Sequence, residues 1–142
     1  MKVTEDKWIW MPHVGHFICG NDCRFHLNTK VGKYIVSTVG ELWFDRQVRE
    51  IHAKVFDSKW FTKNRELKGD DFDLAYMKRF GFEEIGLGRK FETMVFRAVK
   101  DKKNKCCLYT IVVSRDLDMD GYNSAEDAYR GHLKMCKKWA NK

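Results

Sequence analysis

A single proline in 142 residues, with no low-complexity stretch and no Pro/Ser-rich linker, leaves nothing that reads as an extended tether. One domain over 1–142 is therefore expected. No apolar run approaches the roughly 18 residues of a bilayer-spanning helix, and the start Met1-Lys2-Val3-Thr4-Glu5-Asp6-Lys7 lacks the apolar stretch of a secretory signal. These absences predict a cytoplasmic protein with no membrane partner. Cysteine is sparse and odd in number, at five, and a chain long enough to bury a full core needs no disulfide staples.

Large rings and charge are abundant. Five Trp, five Tyr and ten Phe supply core and contact side chains. Lys and Arg number 27 against 20 Asp and Glu, a formal charge of +7. With 44% hydrophobic and 33% charged residues this is the composition of a folded domain and not of a basic tail.

Patterning gives the elements. Phe17-Ile18-Cys19 and Cys23 to Thr29 flank Gly20-Asn21-Asp22, a turn composition that predicts a tight hairpin. Tyr34 to Val39 is rich in β-branched residues and reads as a further strand. Asp45 is placed to cap a helix whose Val48, Ile51, His52, Val55 and Phe56 recur at helical spacing and predict its buried face. From Asp57 to Gly69 periodicity dissolves into a basic, aromatic loop. Asp70 or Asp71 caps a second helix through Leu74, Met77 and Phe80, which Gly81 ends. Phe91–Val99 and Cys107–Ser114 read as strands joined by the polar connection Lys100 to Lys105. Ser124 caps the last helix, where Ala125, Ala128, Tyr129, His132, Leu133, Cys136, Trp139 and Ala140 form one stripe. The order predicts an α+β fold: a mainly antiparallel sheet, helices packed on one face, and a C-terminal amphipathic helix.

Several clusters carry residue types used in chemistry. His13, His16, Cys19, Cys23 and His26 fall within fourteen residues, and His13, His16, Cys19 and Cys23 are the combination a tetrahedral zinc ion would take. Cys23 and His26 would point to opposite faces of a strand, so they do not serve one ion together. Asp116, Asp118 and Asp120 with Gly121 match the opening of a calcium loop, but Asp127 stands where the bidentate Glu belongs. Gly86-Leu87-Gly88 leads into a strand and not a helix, so turn geometry explains it better than phosphate binding. His52 and His132 lie on apolar stripes and read as core or boundary histidines. Lys59, Trp60, Phe61, Lys63 and Arg65 interleave cations with rings, which suits a protein contact surface and also the stacking and phosphate contacts of nucleic-acid binding.

The stretches Met11-Pro12-His13, Gly15-His16-Phe17-Ile18, Cys23-Arg24-Phe25-His26-Leu27, Ser37-Thr38-Val39-Gly40-Glu41, Phe91-Glu92-Thr93-Met94-Val95-Phe96, Gly121-Tyr122-Asn123 and Arg130-Gly131-His132 extend over nearly the whole chain. In these the sequence resembles a group of small, uncharacterised proteins of tailed bacteriophages. The resemblance brings no catalytic activity. It implies a protein made inside an infected bacterium, where small phage proteins act by binding host or defence proteins.

The leading expectation is therefore an accessory protein that binds a host or bacterial-immunity protein, for host takeover, counter-defence or as a defence trigger, without catalysis or a cofactor of its own. Its contact residues would be Lys59, Trp60, Phe61, Lys63 and Arg65. A nucleic-acid-binding protein using the same segment is the alternative. A metal-dependent enzyme built on His13, His16, Cys19 and Cys23, with zinc, is a further one.

Overall fold

A computed structural model describes residues 4–13, 15–16, 22–101, 103, 108–112 and 115–142. The fold is α+β, with six strands and four helices among the described residues. Where the sequence reads as one domain, the chain gathers into two compact units: Met1–Leu42 with Glu84–Lys142, and Trp43–Glu83.

The larger unit is built on strands β1 (Ile9–Trp10), β2 (Cys23–Val31), β3 (Tyr34–Leu42), β4 (Phe91–Lys100), β5 (Tyr109–Ile111) and β6 (Asp118–Tyr122). Their order is β1-β2-β3-β4-β5, with β6 also paired to β4, and every pairing is antiparallel. A two-residue turn, Gly32-Lys33, joins β2 to β3, because Val31 pairs with Tyr34. The hairpin expected around Gly20-Asn21 lies outside the described residues, as do Cys107 and the end of the strand expected to reach Ser114.

Register decides what each sheet face carries. Thr29, Val36 and Val95 form one row. They face the C-terminal helix, here α4 (Ala125–Ala140). Val31, Val36, Val95, Met135, Cys136 and Ala140 make that core, with Trp139 packed at its edge. Tyr129 of the expected stripe points outward, and Met135 is buried in its place. Ser124 caps the helix by accepting from the Asp127 amide. Within this unit α4 is the helix that covers the sheet. The opposite sheet face carries Asn28, Ser37 and Met94 in one row and His26, Val39 and Glu92 in the next.

The smaller unit holds α1 (Arg46–Phe56), α2 (Ser58–Asn64) and α3 (Asp70–Phe80). Asp45 caps α1 and Asp57 caps α2, each accepting from the amide three residues on. The segment expected to be a loop is thus a helix in its first half. Gly81, with φ +72, ends α3. Gly69, and neither Asp70 nor Asp71, is the N-cap residue of α3. Buried Ala53, Phe72 and Tyr76 form the core, with Trp43, Trp60, Phe61, Leu67 and Phe80 packed around them. Leu74, one of the apolar positions of the helix in the sequence, is exposed. Four-residue spacing through Phe72, Tyr76 and Phe80 turns larger surfaces inward than three-residue spacing from Leu74 would.

Candidate functional site

Among the described residues, His13, His16, Cys23 and His26 are not gathered into a metal centre. His16 is buried, with Nδ1 2.6 Å from Ser37 Oγ and Nε2 3.7 Å from Glu92 Oε2. Asn28 Nδ2 donates to the His13 carbonyl at 3.0 Å. Gly15 makes this approach possible: a Cβ there would stand 2.5 Å from both Asn28 Oδ1 and Ser37 Oγ. The Cys23 sulfur is engaged in a disulfide, so it offers no thiolate to an ion. Cys19 lies outside the described residues. Among the described residues no group of three or more His, Cys, Asp or Glu is arranged to hold a metal. Of the expected set His13, His16, Cys19 and Cys23, the described His16 imidazole faces a serine and a carboxylate.

The carboxylates Asp116, Asp118 and Asp120 are likewise not a cation loop. Asp118–Tyr122 is strand β6, paired to β4 through Asp118↔Val95. Asp118 Oδ2 accepts from Lys138 Nζ at 2.7 Å and Trp139 Nε1 at 2.9 Å. Burial works against the Asp118 charge, yet these two donors and the Met119 amide hold its carboxyl below the usual range.

The expected contact residues divide by side. Lys59, Lys63 and Arg65 are exposed. Trp60 instead sets its ring against Phe80 at 5.3 Å and Phe72 at 6.0 Å between centroids. Trp60 and Phe61 thus pack, partly buried, on the core of the smaller unit, on a helix where the sequence reads as a loop. A short helix with two rings on one side buries them against its neighbours.

That inward turn leaves a different surface outside. On α1 the buried residues are Arg49 and Ala53, whereas Val48, Ile51, Val55 and Phe56 are 41, 64, 71 and 72% exposed. This corrects the expected burial of the α1 stripe. The cause is Arg49. Its Nε donates to the Phe44 carbonyl and its Nη1 to Asp73 Oδ1 at 2.6 Å, while its guanidinium lies 4.2 Å from the Trp43 ring centroid and 5.5 Å from that of Tyr76. A guanidinium so bonded and stacked is stable inside, and it turns the aliphatic side of the helix to the surface. Phe61 shares a shallow cleft of about 380 Å³ with Gln47, Glu50, Ile51 and Lys54 at the margin of this face.

On the remaining edge His52 Nδ1 lies 2.9 Å from the Tyr76 hydroxyl, which donates to Glu83 Oε1 at 2.8 Å. Burial first, then the Glu83 acceptor and its charge, push the Tyr76 phenol well above its usual pKa. His52 is a boundary histidine, as its stripe position suggests. His132 is a satisfied core histidine, bonded through both ring nitrogens to Thr29 and Thr38.

No family model, curated protein or solved structure matches the chain. No helix among the described residues is long and apolar enough to cross a membrane.

Proposed function

We propose that this chain is a phage-encoded accessory protein of the infected cell's cytoplasm that works by binding a host or bacterial-immunity protein through the exposed face of α1. The observation that carries this reading is the run of Val48, Ile51, Val55 and Phe56, all exposed on one amphipathic helix. Spacings of three and four residues present Val48, Ile51 and Val55 as a continuous stripe, with Phe56 beside its C-terminal end, the form in which a helix enters an apolar groove on a partner. Each such side chain contributes roughly 1.5–3 kcal/mol when fully buried. Three of the four are more exposed than any other large apolar residue of the smaller unit except Leu74.

Charge favours protein over nucleic acid at this surface. Trp43–Glu83 holds nine Lys and Arg and eight Asp and Glu, a net of +1. Arg46, Arg49 and Arg79 are each bound to a carboxylate of the same unit. A phosphate-tracking groove needs an uncompensated excess of cations.

The test is affinity capture from infected bacteria with the wild-type chain and with Ile51→Asp/Val55→Asp. The expected result is a stoichiometric bacterial protein that the double variant loses while its unfolding midpoint stays put. Recovery of nucleic acid alone, or equal capture by the folded double variant, overturns the reading.

A further inference from the structure

The larger unit presents a second surface shaped for contact, built from none of the α1 residues. Gly86, Leu87, Gly88 and Arg89 form the tight turn ahead of β4, closed by a bridge between Gly86 and Arg89 and by the Arg89 amide donating to the Gly86 carbonyl at 2.9 Å. Its two central residues, Leu87 and Gly88, have φ +53 and +70, the left-handed pair that Asn and Gly favour and a bulky side chain resists. Gly88 suits this geometry and Leu87 does not. Packing within the chain does not explain the leucine, because its side chain is 90% exposed, the most of any large apolar residue among those described. A Cβ added at Gly86 or Gly88 would meet nothing within 4 Å, so the turn stands clear. Strain kept at a residue that packs on nothing in its own chain points to function.

Leu87 edges a cleft of about 480 Å³ whose apolar wall includes Ile85, Phe91 and Met119. That space is ample for a leucine side chain, and Met119 is itself 45% exposed. A knob and a hole that fits it thus lie side by side on one surface. Charge follows the same plan. Glu84 and Arg89, on opposite limbs of the turn, are both exposed, and neither forms an ion pair among the described residues. A surface with a knob beside a hole, and a cation beside an anion, is complementary to its own two-fold copy.

We propose that this surface pairs with a second copy of the chain, each Leu87 entering the other copy's cleft against Ile85 and Met119 while each Arg89 meets Glu84 of the other copy. A two-fold axis at the turn exchanges its limbs, which brings the unlike charges together. Burial of the two leucines drives association, and the rim charges set register more than affinity. The contact centres on one turn and one cleft per copy, less than a permanent interface uses, so the dimer is reversible and forms with rising concentration.

The experiment is sedimentation equilibrium of the full chain from low micromolar to several hundred micromolar, with isotope-filtered NMR on a mixture of labelled and unlabelled chains. A concentration-dependent equilibrium between monomer and dimer is expected, with intermolecular contacts from the Leu87 methyls to the Met119 methyl. Leu87→Gly relieves the strain at φ +53, so its unfolding midpoint should hold or rise, yet dimerisation should weaken about tenfold or more because both knobs are lost. Arg89→Glu and Glu84→Arg should each weaken the dimer a few-fold, and the two changes in one chain should restore it. A wild type that stays monomeric throughout overturns the proposal and leaves Leu87 to a different partner. So does a dimer whose intermolecular contacts come from Ile51 and Val55, a folded Leu87→Gly that dimerises like the wild type, or a joint reversal no stronger than the single ones.

Discussion

His132 Nδ1 lies 2.7 Å from Thr38 Oγ1, and that hydroxyl lies 2.6 Å from Thr93 Oγ1 on the next strand. A side chain of α4 is thereby joined to a row of hydroxyls across β3 and β4. On its other edge the imidazole Nε2 meets Thr29 Oγ1 at 2.8 Å. Hydroxyls either donate or accept, so they satisfy the neutral ring in both tautomers. Burial pushes the His132 pKa down to about 4 from 6.5.

Stability should therefore fall with acid across that window. In the unfolded chain His132 takes up a proton near pH 6.5, and in the folded chain only near pH 4, so between these values the unfolded state binds more protons. The stabilising contribution is complete above pH 6.5 and is lost as pH drops towards 4, by up to about 3 kcal/mol. Urea unfolding at pH 7, 5.5 and 4.5 should show this decline, and His132→Gln should flatten it. An equal slope in that variant would assign the decline to other groups.

The smaller unit depends on Arg49. Arg49→Ala removes the stack on Trp43 and the bond to Asp73, and should destabilise α1–α3 by about 3 kcal/mol. Asp73 is partly exposed, so its charge returns to water and the loss is mainly one of packing. Arg49→Met keeps volume between the rings and should cost less. Hydrogen exchange should quicken in α1–α3 and leave the α4 amides protected, because the two units have separate cores. Uniform quickening in both units would show that they unfold together.

What the sequence made legible is local. Asp45 and Ser124 are caps, Gly81 is a stop, and α4 follows its stripe because caps and periodicity act through neighbouring residues. Four features were not legible. Helix α2 spans seven residues, too few for a 3.6-residue period to emerge. Strand β6 is rich in Asp, and its identity comes from pairing with β4 rather than from its own composition. The orientation of α1 was inverted, since an apolar stripe marks a helix as amphipathic without saying which side meets the core. The choice of Arg49 as the inward residue depends on Trp43, Asp73 and Tyr76, which only the folded chain brings to it. The Glu92 pairing with His16 joins residues 76 positions apart along the chain and leaves no local sign.

Trp60→Ala with Phe61→Ala should lower stability before it affects any binding. Trp60 contacts three rings of the core, those of Phe72, Tyr76 and Phe80, and large aromatic deletions cost about 3–5 kcal/mol when the residue is fully buried. Both residues are half-buried, so a combined loss near the lower figure is expected. Ile51→Asp/Val55→Asp should leave the midpoint nearly unchanged, since exposed sites away from the core shift stability by about 0.5 kcal/mol or less. Thermal unfolding of the two double variants side by side checks the contrast, and equal destabilisation would mean that the α1 face is covered in the folded chain.

Trp139 separates packing from hydrogen bonding at the end of α4. Its ring meets Tyr34 edge-on at 4.8 Å, and its Nε1 donates to Asp118 Oδ2 at 2.9 Å. Trp139→Phe keeps an aromatic ring against Tyr34 and removes the donor, a loss of about 1 kcal/mol. Trp139→Ala removes both, and because the residue is only half-buried the cost should fall near the lower end of the 3–5 kcal/mol range for buried Trp. Asp118 keeps Lys138 as a partner in either variant, so no charge is stranded. Denaturant unfolding of the wild type and both variants should rank them in that order. An Ala variant no weaker than the Phe variant would place the whole contribution of Trp139 in its bond to Asp118, and none in the ring.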